Sequence, residues 1–376
     1  MTVSRETHLS RIIRILTNSE RGEFAGRRRW WFRYVEGLAA DDAAAPLRMG
    51  SLWHAALACW YRSRCTMTAA QVVSAVVEPW LEKREEWLAS QRQEWAERNA
   101  EEDREYAKLT AGMLEGYVKK FASDRTDFEV LAVEPQVARW LPHPTTGNPL
   151  RDRIELGGKL VFRRWANGGA MDLLVRLPDG SVWLIEHKTT AESDLDHYVR
   201  KLDWDPQIRG YAWAAAAPIV GSDVKEPVRI SGVIYNVARK KVPVEPELLK
   251  KGGLSKSRGT DTSREAYLSA IQRHNLDPAD YADVLDQLSV KKFFHREHVV
   301  FTDAELEDFA QDTGSHALDV MRAEREKHQP RQTRMCIGIA MAPCPYRTIC
   351  LADGAMARKA FSVHGIRHAE LMDEFA

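Results

Sequence analysis

Two short apolar runs, Met171 to Leu177 and Ser181 to roughly Lys188, stand either side of Pro178-Asp179-Gly180. Runs of this length and composition read as strands, and Pro-Asp-Gly is a turn signal, so together they are expected to form a β-hairpin. Side chains alternate across a strand. Leu173, Val175 and Leu177 therefore point to one face, while Val182 and Leu184 belong to the opposite set of their own strand. A hairpin that is apolar on both faces has to be covered from both sides. That requirement points to an α/β fold with a central sheet flanked by helices.

The rest of the chain supplies candidates for those layers. Ser51 is a candidate N-cap for a helix from Leu52 to roughly Arg62. Helical text runs from Thr68 to about Ser123, with Leu81, Leu88 and Trp95 recurring every seven residues. Its Glu/Arg/Lys-rich stretch from Glu82 to Lys108 is read as the solvated side of long helices. Phe128 to Glu134, Ile154 to Phe162, Val228 to Val237 and Phe293 to Phe301 read as strands. Asp205 and Pro206 open a helix as N-cap and first residue. Further helical text covers Ser263 to Leu288 and Asp303 to Glu326. Arg239 to Arg258, with seven basic and two acidic residues around Gly252-Gly253, reads as a basic loop. Four regions follow, folded as one integrated domain: 1–125 helical with a basic start, 126–240 the core, 241–330 additions, and 331–376 a cysteine-bearing tail.

Composition limits the function. Fifty-four Lys+Arg balance 54 Asp+Glu over 376 residues. Zero net charge argues against a protein that coats nucleic acid non-specifically. The sum is made of unlike parts, however, because the first 36 residues carry eight Lys/Arg against four Asp/Glu. No run reaches the ~18 apolar residues that span a bilayer, and the N-terminus lacks the apolar stretch of a signal peptide. A cytoplasmic protein is expected. The five cysteines (Cys59, Cys65, Cys336, Cys344 and Cys350) are an odd number without an export signal, a poor disulfide framework. The last three cluster, which raises a metal site.

The chemistry concentrates in Asp172 and in Glu186-His187-Lys188. Glu186 and Lys188 share one face of their strand, and His187 points away. If the turn is a three-residue loop with Gly180 left-handed, Asp172 falls directly opposite Glu186; a two-residue loop would place His187 there instead. Two carboxylates and an ammonium group are costly to bury. Paired carboxylates suit a hard divalent cation such as magnesium, which lowers the pKa of a bound water and neutralises phosphate charge. The bland alternative is a cross-strand salt bridge.

Asp172, thirteen intervening residues, and then Glu186-x-Lys188 resemble the PD-(D/E)XK nuclease superfamily. More narrowly the chain is similar to the RecB-like branch, which includes phage and prophage exonucleases and CRISPR-associated adaptation nucleases. Gly50-Ser-Leu-Trp-His54 resembles its upstream Gly-x-x-x-His motif. Leu184-Ile-Glu-His-Lys-Thr-Thr190 resembles its nuclease strand, Gln207-x-x-x-Tyr211 its Gln/Tyr helix, and Cys344 to Cys350 its C-terminal cysteine signature. The resemblance implies a restriction-endonuclease-like core with a mixed central sheet, a helical N-terminal region and a cysteine-bearing tail. It implies hydrolysis of DNA phosphodiesters by metal-activated water. His54, Asp172 and Glu186 would bind Mg2+ or Mn2+, Lys188 would activate or position the water, and Gln207 and Tyr211 would support substrate placement. Glu134, ending a strand before the hairpin, is read as a surface or structural glutamate in preference to one that assists at the site.

In many relatives three C-terminal cysteines and one near the N-terminus hold a four-iron–four-sulfur cluster. Cys336, Cys344 and Cys350 match the three, but the N-terminal position aligns with Gly26, and residues 1–58 contain no cysteine. A cluster with another ligand, a zinc site and a lost site all stay open. The basic-aromatic stretch Arg27–Arg33, with Arg28, Arg29 and Trp30, is a candidate DNA contact, and the Arg239–Arg258 loop is either a second one or a solvated surface loop. No P-loop motif is present, so a helicase would be a separate partner. The competing reading is a catalytically inactive nuclease-like module that binds DNA or scaffolds a complex.

Overall fold

The computed structural model describes residues 12–40, 45–91, 93–217, 219–220, 227–257, 261–289, 293–326, 328–332, 334, 344–352, 355–359 and 361–363. Its strands are β1 (Ile13–Leu16), β2 (Leu38–Ala40), β3 (Glu129–Val133), β4 (Gln136–Trp140), β5 (Arg151–Leu156), β6 (Lys159–Ala170), β7 (Leu173–Arg176), β8 (Val182–Thr190), β9 (Ile219–Val220), β10 (Ile230–Arg239), β11 (Phe294–Val300) and β12 (Phe361–Val363). The main helices are α1 (Ala45–Arg62), α2 (Glu78–Ala89), α3 (Gln93–Lys120), α4 (Leu195–Leu202), α5 (Pro206–Ala214), α6 (Arg264–Arg273), α7 (Ala282–Ser289) and α8 (Asp303–Arg325).

The hairpin that constrains the sequence sits in the middle of a five-stranded mixed sheet ordered β11-β10-β8-β7-β3. β7 and β8 are antiparallel, and β8 runs parallel to β10. A parallel neighbour needs a crossover, which α4 and α5 provide. Both faces are covered, as the alternation requires. Leu174, Leu184, Val233, Tyr235 and Val237 pack on the side that also receives Ile208 of α5 and Phe309 and Ala317 of α8. Leu173, Val175, Ile185 and Ile234 pack on the side of Leu52, Trp53, Leu57 and Trp60 from α1 and Leu114 and Tyr117 from α3. A second sheet, ordered β1-β6-β4-β9 with β5 also on β6, lies beyond the first core.

Several elements differ from the sequence reading. α1 begins at Ala45, so Gly50 and Ser51 lie inside it rather than capping it. The run Ile154–Phe162 is a hairpin, not one strand: Gly157 and Gly158 sit at φ +60° and +75°, the geometry that two-residue turns require. The helical text from 68 to 123 is interrupted by a π-turn at Val73–Val77, immediately before Pro79. Proline has no N–H to give the preceding turn, which accommodates the break. The basic loop is anchored by Leu254, buried against Tyr267, Ile271 and Tyr281.

The segment Phe32–Ala40 meets residues from the C-terminal part of the described chain. β2 pairs antiparallel with β12, Tyr346 donates to the Leu38 carbonyl at 2.8 Å, and Arg358 pairs with Glu36. Phe32, Leu38, Cys344, Tyr346 and Ile349 form a small apolar cluster there. Among the described residues no helix is long and apolar enough to cross a membrane.

Candidate active site

The turn between β7 and β8 sets the register on which the site depends. Gly180 is left-handed at φ +85°, and the Leu177 N–H donates to the Ser181 carbonyl at 2.9 Å. Leu173 faces Ile185, Leu174 faces Leu184 and Arg176 faces Val182. This is the three-residue loop, and one further step along the ladder sets Asp172 against Glu186. Asp172 leaves regular pairing there, and its Oδ2 accepts from the His187 backbone N–H at 2.7 Å.

From α1, His54 reaches the hairpin, with Nδ1 2.9 Å from Asp172 Oδ1. Glu186 is enclosed; Lys188 Nζ donates to its Oε1 at 2.9 Å, while its Oε2 has no hydrogen-bond partner. Lys188 also donates to Gln207 Oε1 at 2.7 Å and lies 3.4 Å from Asp205. Asp205 caps α5 by accepting the Gln207 N–H at 2.9 Å. Gln207 in turn donates to the Tyr211 hydroxyl at 2.9 Å. Gly169 leaves room for that ring, since a Cβ there would lie 3.0 Å from it. The structure thus gathers His54, Asp172, Glu186, Lys188, Gln207 and Tyr211 into one connected set. Asp205 is an addition: sequence reasoning gave it only the cap.

The charges follow from that packing. Burial works against ionised Asp172, but the charge and hydrogen bond of His54 prevail and hold its pKa below the usual value. Burial lowers His54, yet Asp172 and then Glu186 overcome it and the net direction is upward. Glu186 is pushed up to about 7, by burial first and by the charge of Asp172 next. Lys188 is raised despite burial, because Glu186 and Asp205 favour its charged form. The cleft therefore holds one ionised carboxylate, one carboxyl poised near neutrality and a permanently charged ammonium.

These donors fit a hard divalent cation. Both carboxylates supply oxygen, and the buried, partnerless Oε2 of Glu186 is a polar atom that the protein itself leaves unsatisfied. Among the described residues no three His, Cys, Asp or Glu side chains close into a ready-made cage. Magnesium does not require one, since it is commonly held by one or two carboxylates, with waters and substrate phosphates completing the shell.

On the opposite face of β8 lies a network that the sequence did not reveal. His187 stacks on Tyr61 with ring centroids 5.6 Å apart, and Asn236 lies 2.9 Å from its Nδ1. Asn236 Oδ1 accepts from Arg296 Nε at 3.3 Å. Arg296 grips buried Asp124 with both terminal nitrogens, at 2.7 and 2.6 Å. Burial first, with the charges of His54 and Arg296 opposing that of Asp172, keeps His187 neutral by lowering its pKa to about 3. The network ends on the residue whose backbone holds Asp172.

Other candidates fall elsewhere. Trp30 is corrected to a core residue: it is 0% exposed, its Nε1 donates to Glu20 at 2.9 Å, and a fully enclosed ring offers no face to a base. Arg28 donates to the Gln329 carbonyl at 3.0 Å, and Arg29 lies 3.4 Å from Glu23; both are half-buried. Glu134 makes an exposed ion pair with Arg62. Cys344 and Cys350 form no disulfide among the described residues, and Cys336 lies outside them. Gly26 caps the short helix Arg27–Trp30 with backbone alone. The contact between Phe32–Ala40 and the C-terminal part of the described chain is apolar and ion-paired.

A family model for the PD-(D/E)XK nuclease superfamily matches residues 25–351. The chain belongs to the PD-(D/E)XK nuclease superfamily. That match spans every residue of the connected set. Among solved structures it is similar to one titled "Crystal structure of SSO0001". The identity is 13%, the TM-score 0.24, and the match covers 73% of this chain and 95% of that one. No curated protein sequence matches the nuclease.

Proposed function

We propose that the chain is a cytoplasmic, metal-dependent deoxyribonuclease of the RecB-like type, acting in DNA recombination, repair or phage DNA processing. The observation that carries this reading is the enclosed Glu186, whose Oε2 is unpartnered while its Oε1 is tied to Lys188 beside Asp172. His54, Asp172 and Glu186 would hold one or two Mg2+ or Mn2+ ions, which would supply charge neutralisation at the phosphate and acidify a water.

The chain's own side chains do the rest. Asp172 stays ionised because His54 and the His187 N–H satisfy its oxygens. Lys188, held by Gln207 and Asp205, keeps its proton and would stabilise the negative charge that grows on the attacked phosphate. Gln207 and Tyr211 fix the lysine and line the approach for the substrate backbone. The chain carries no P-loop, so unwinding comes from a separate helicase partner where a substrate requires it.

Incubation with linear and with closed circular DNA, in Mg2+ and in EDTA, tests the proposal. Cleavage of linear DNA alone, abolished by EDTA, makes the protein an exonuclease; nicking of the circle makes it an endonuclease. Cleavage that persists in EDTA contradicts metal dependence. No cleavage of any single- or double-stranded substrate assigns the fold to a DNA-binding scaffold.

A further inference from the structure

We infer that the solvent face of the β5–β6 hairpin is a nucleic-acid-binding surface that grips the flank of the substrate; the inference rests on the nuclease reading. Arg151 and Arg153 on β5, with Phe162 and Arg164 on β6, share that face and are all exposed. Arg151 and Arg153 lie over the Phe162 ring at 4.8 and 5.2 Å, and Arg164 lies over Trp140 at 5.4 Å. Stacking fixes each guanidinium while leaving its N–H edge open, so less freedom is lost when a phosphate binds.

No carboxylate claims these three arginines among the described residues. Glu155 is exposed on the same face, opposite Leu160, and bonds none of them. The other face of the same hairpin is treated differently. There Arg163 is bound to Asp152 at 2.9 Å and to Glu324 at 2.5 Å, next to buried Trp165. The chain thus neutralises its arginine where the hairpin meets the protein and leaves three unneutralised where it meets water.

The pairing also carries a cost that a structural role does not explain. Arg151 and Arg164 are directly opposed across the ladder, and like charges in that position destabilise a sheet. A polyanion bridging the two removes the repulsion.

The surface is within reach of the site. β6 runs from the hairpin to Ala170, two residues before Asp172. At about 3.3 Å per residue Arg164 lies no more than ~26 Å from Asp172, roughly eight nucleotides at ~3.4 Å rise per strand. Its face alternates with that of Trp165 and Gly169, which looks toward Tyr211. The arginines therefore take the flank of a substrate, not the scissile phosphate.

The test is fluorescence anisotropy in EDTA with labelled oligonucleotides of about six and about twenty nucleotides, over a range of salt. Wild type is compared with the variant Arg151→Ala, Arg153→Ala, Arg164→Ala. On the long oligonucleotide the variant should bind about tenfold or more weakly, and its log–log salt slope should fall by about two to three, at 0.7–0.9 per lost contact. The difference should vanish on the short one, which cannot span the distance. The variant's melting temperature should change little, because the lost stacking on Phe162 and Trp140 is offset by relief of the opposed pair. Unchanged affinity and slope on the long oligonucleotide overturn the inference, and so does equal weakening on both lengths. Wild type with the arginine-dependent slope that cleaves nothing in Mg2+ refutes the nuclease reading alone.

Discussion

Replacing Glu186 by glutamine isolates the cost of keeping a carboxyl in this cleft. The native group is enclosed, has one oxygen without a partner, and shares its surroundings with Asp172. Burial, and then Asp172, raise its pKa from 4.5 to about 7. A carboxyl whose folded pKa is raised holds its proton more tightly when folded. Its contribution is therefore fully present below the unfolded value and is lost as pH rises through 7. At about 1.4 kcal/mol per unit, the metal-free protein should lose on the order of 3 kcal/mol between about pH 4.5 and pH 7. Glutamine cannot titrate, so Glu186→Gln lacks this slope whatever its absolute stability. His54, raised, contributes a slope of the same sign; His187, held near 3, contributes the opposite one, losing stability as pH falls below 6.5. His187, whose shift does not draw on Glu186, cancels when the two curves are subtracted, while the part of the His54 rise that Glu186 supplies adds to the difference with the same sign. Urea unfolding in EDTA, followed by tryptophan fluorescence across this range, measures the difference. Adding Mg2+ above pH 7 should then stabilise wild type and not the variant, because ligands bind metal deprotonated. Parallel pH curves for the two proteins would refute the argument.

Other substitutions test the surrounding structure. Trp30→Ala removes a fully buried indole that donates to Glu20, and should cost about 3–5 kcal/mol in urea unfolding; lost DNA affinity at unchanged stability would return Trp30 to the substrate. Arg296→Met strands buried Asp124 and should destabilise by about 3–5 kcal/mol, with Asp124→Leu in the same chain restoring most of it. Gly314→Ala would set a Cβ 2.3 Å from the Pro142 carbonyl, where backbone cannot yield cheaply, and should cost about 1–3 kcal/mol in thermal melting.

Much of the site was legible because it is local. One turn fixes the β7–β8 register, and a period of two then assigns Asp172, Glu186 and Lys188 to one place. The Asp205-Pro206 cap likewise located Gln207 and Tyr211 on one helix face. What escaped the sequence is long-range. Arg296 meets Asp124 across 172 residues, and nothing in either neighbourhood announces the pair. Trp30 followed three arginines and read as a stacking surface, but Glu20 and the packing of Phe24, 5.0 Å away, draw it into the core. The β5–β6 hairpin is hidden in the sequence for a simpler reason: Gly157-Gly158 is a two-residue turn inside a run whose composition is that of one strand, and the arginine face is hidden with it.

The central claim is that Asp172 and Lys188 carry phosphodiester hydrolysis. Single-turnover cleavage of end-labelled DNA in Mg2+, by wild type, Asp172→Asn and Lys188→Ala of matched melting temperature, tests it most directly. The account predicts a loss of about 10²–10³-fold or more for each variant. Equal cleavage by all three proteins would contradict it.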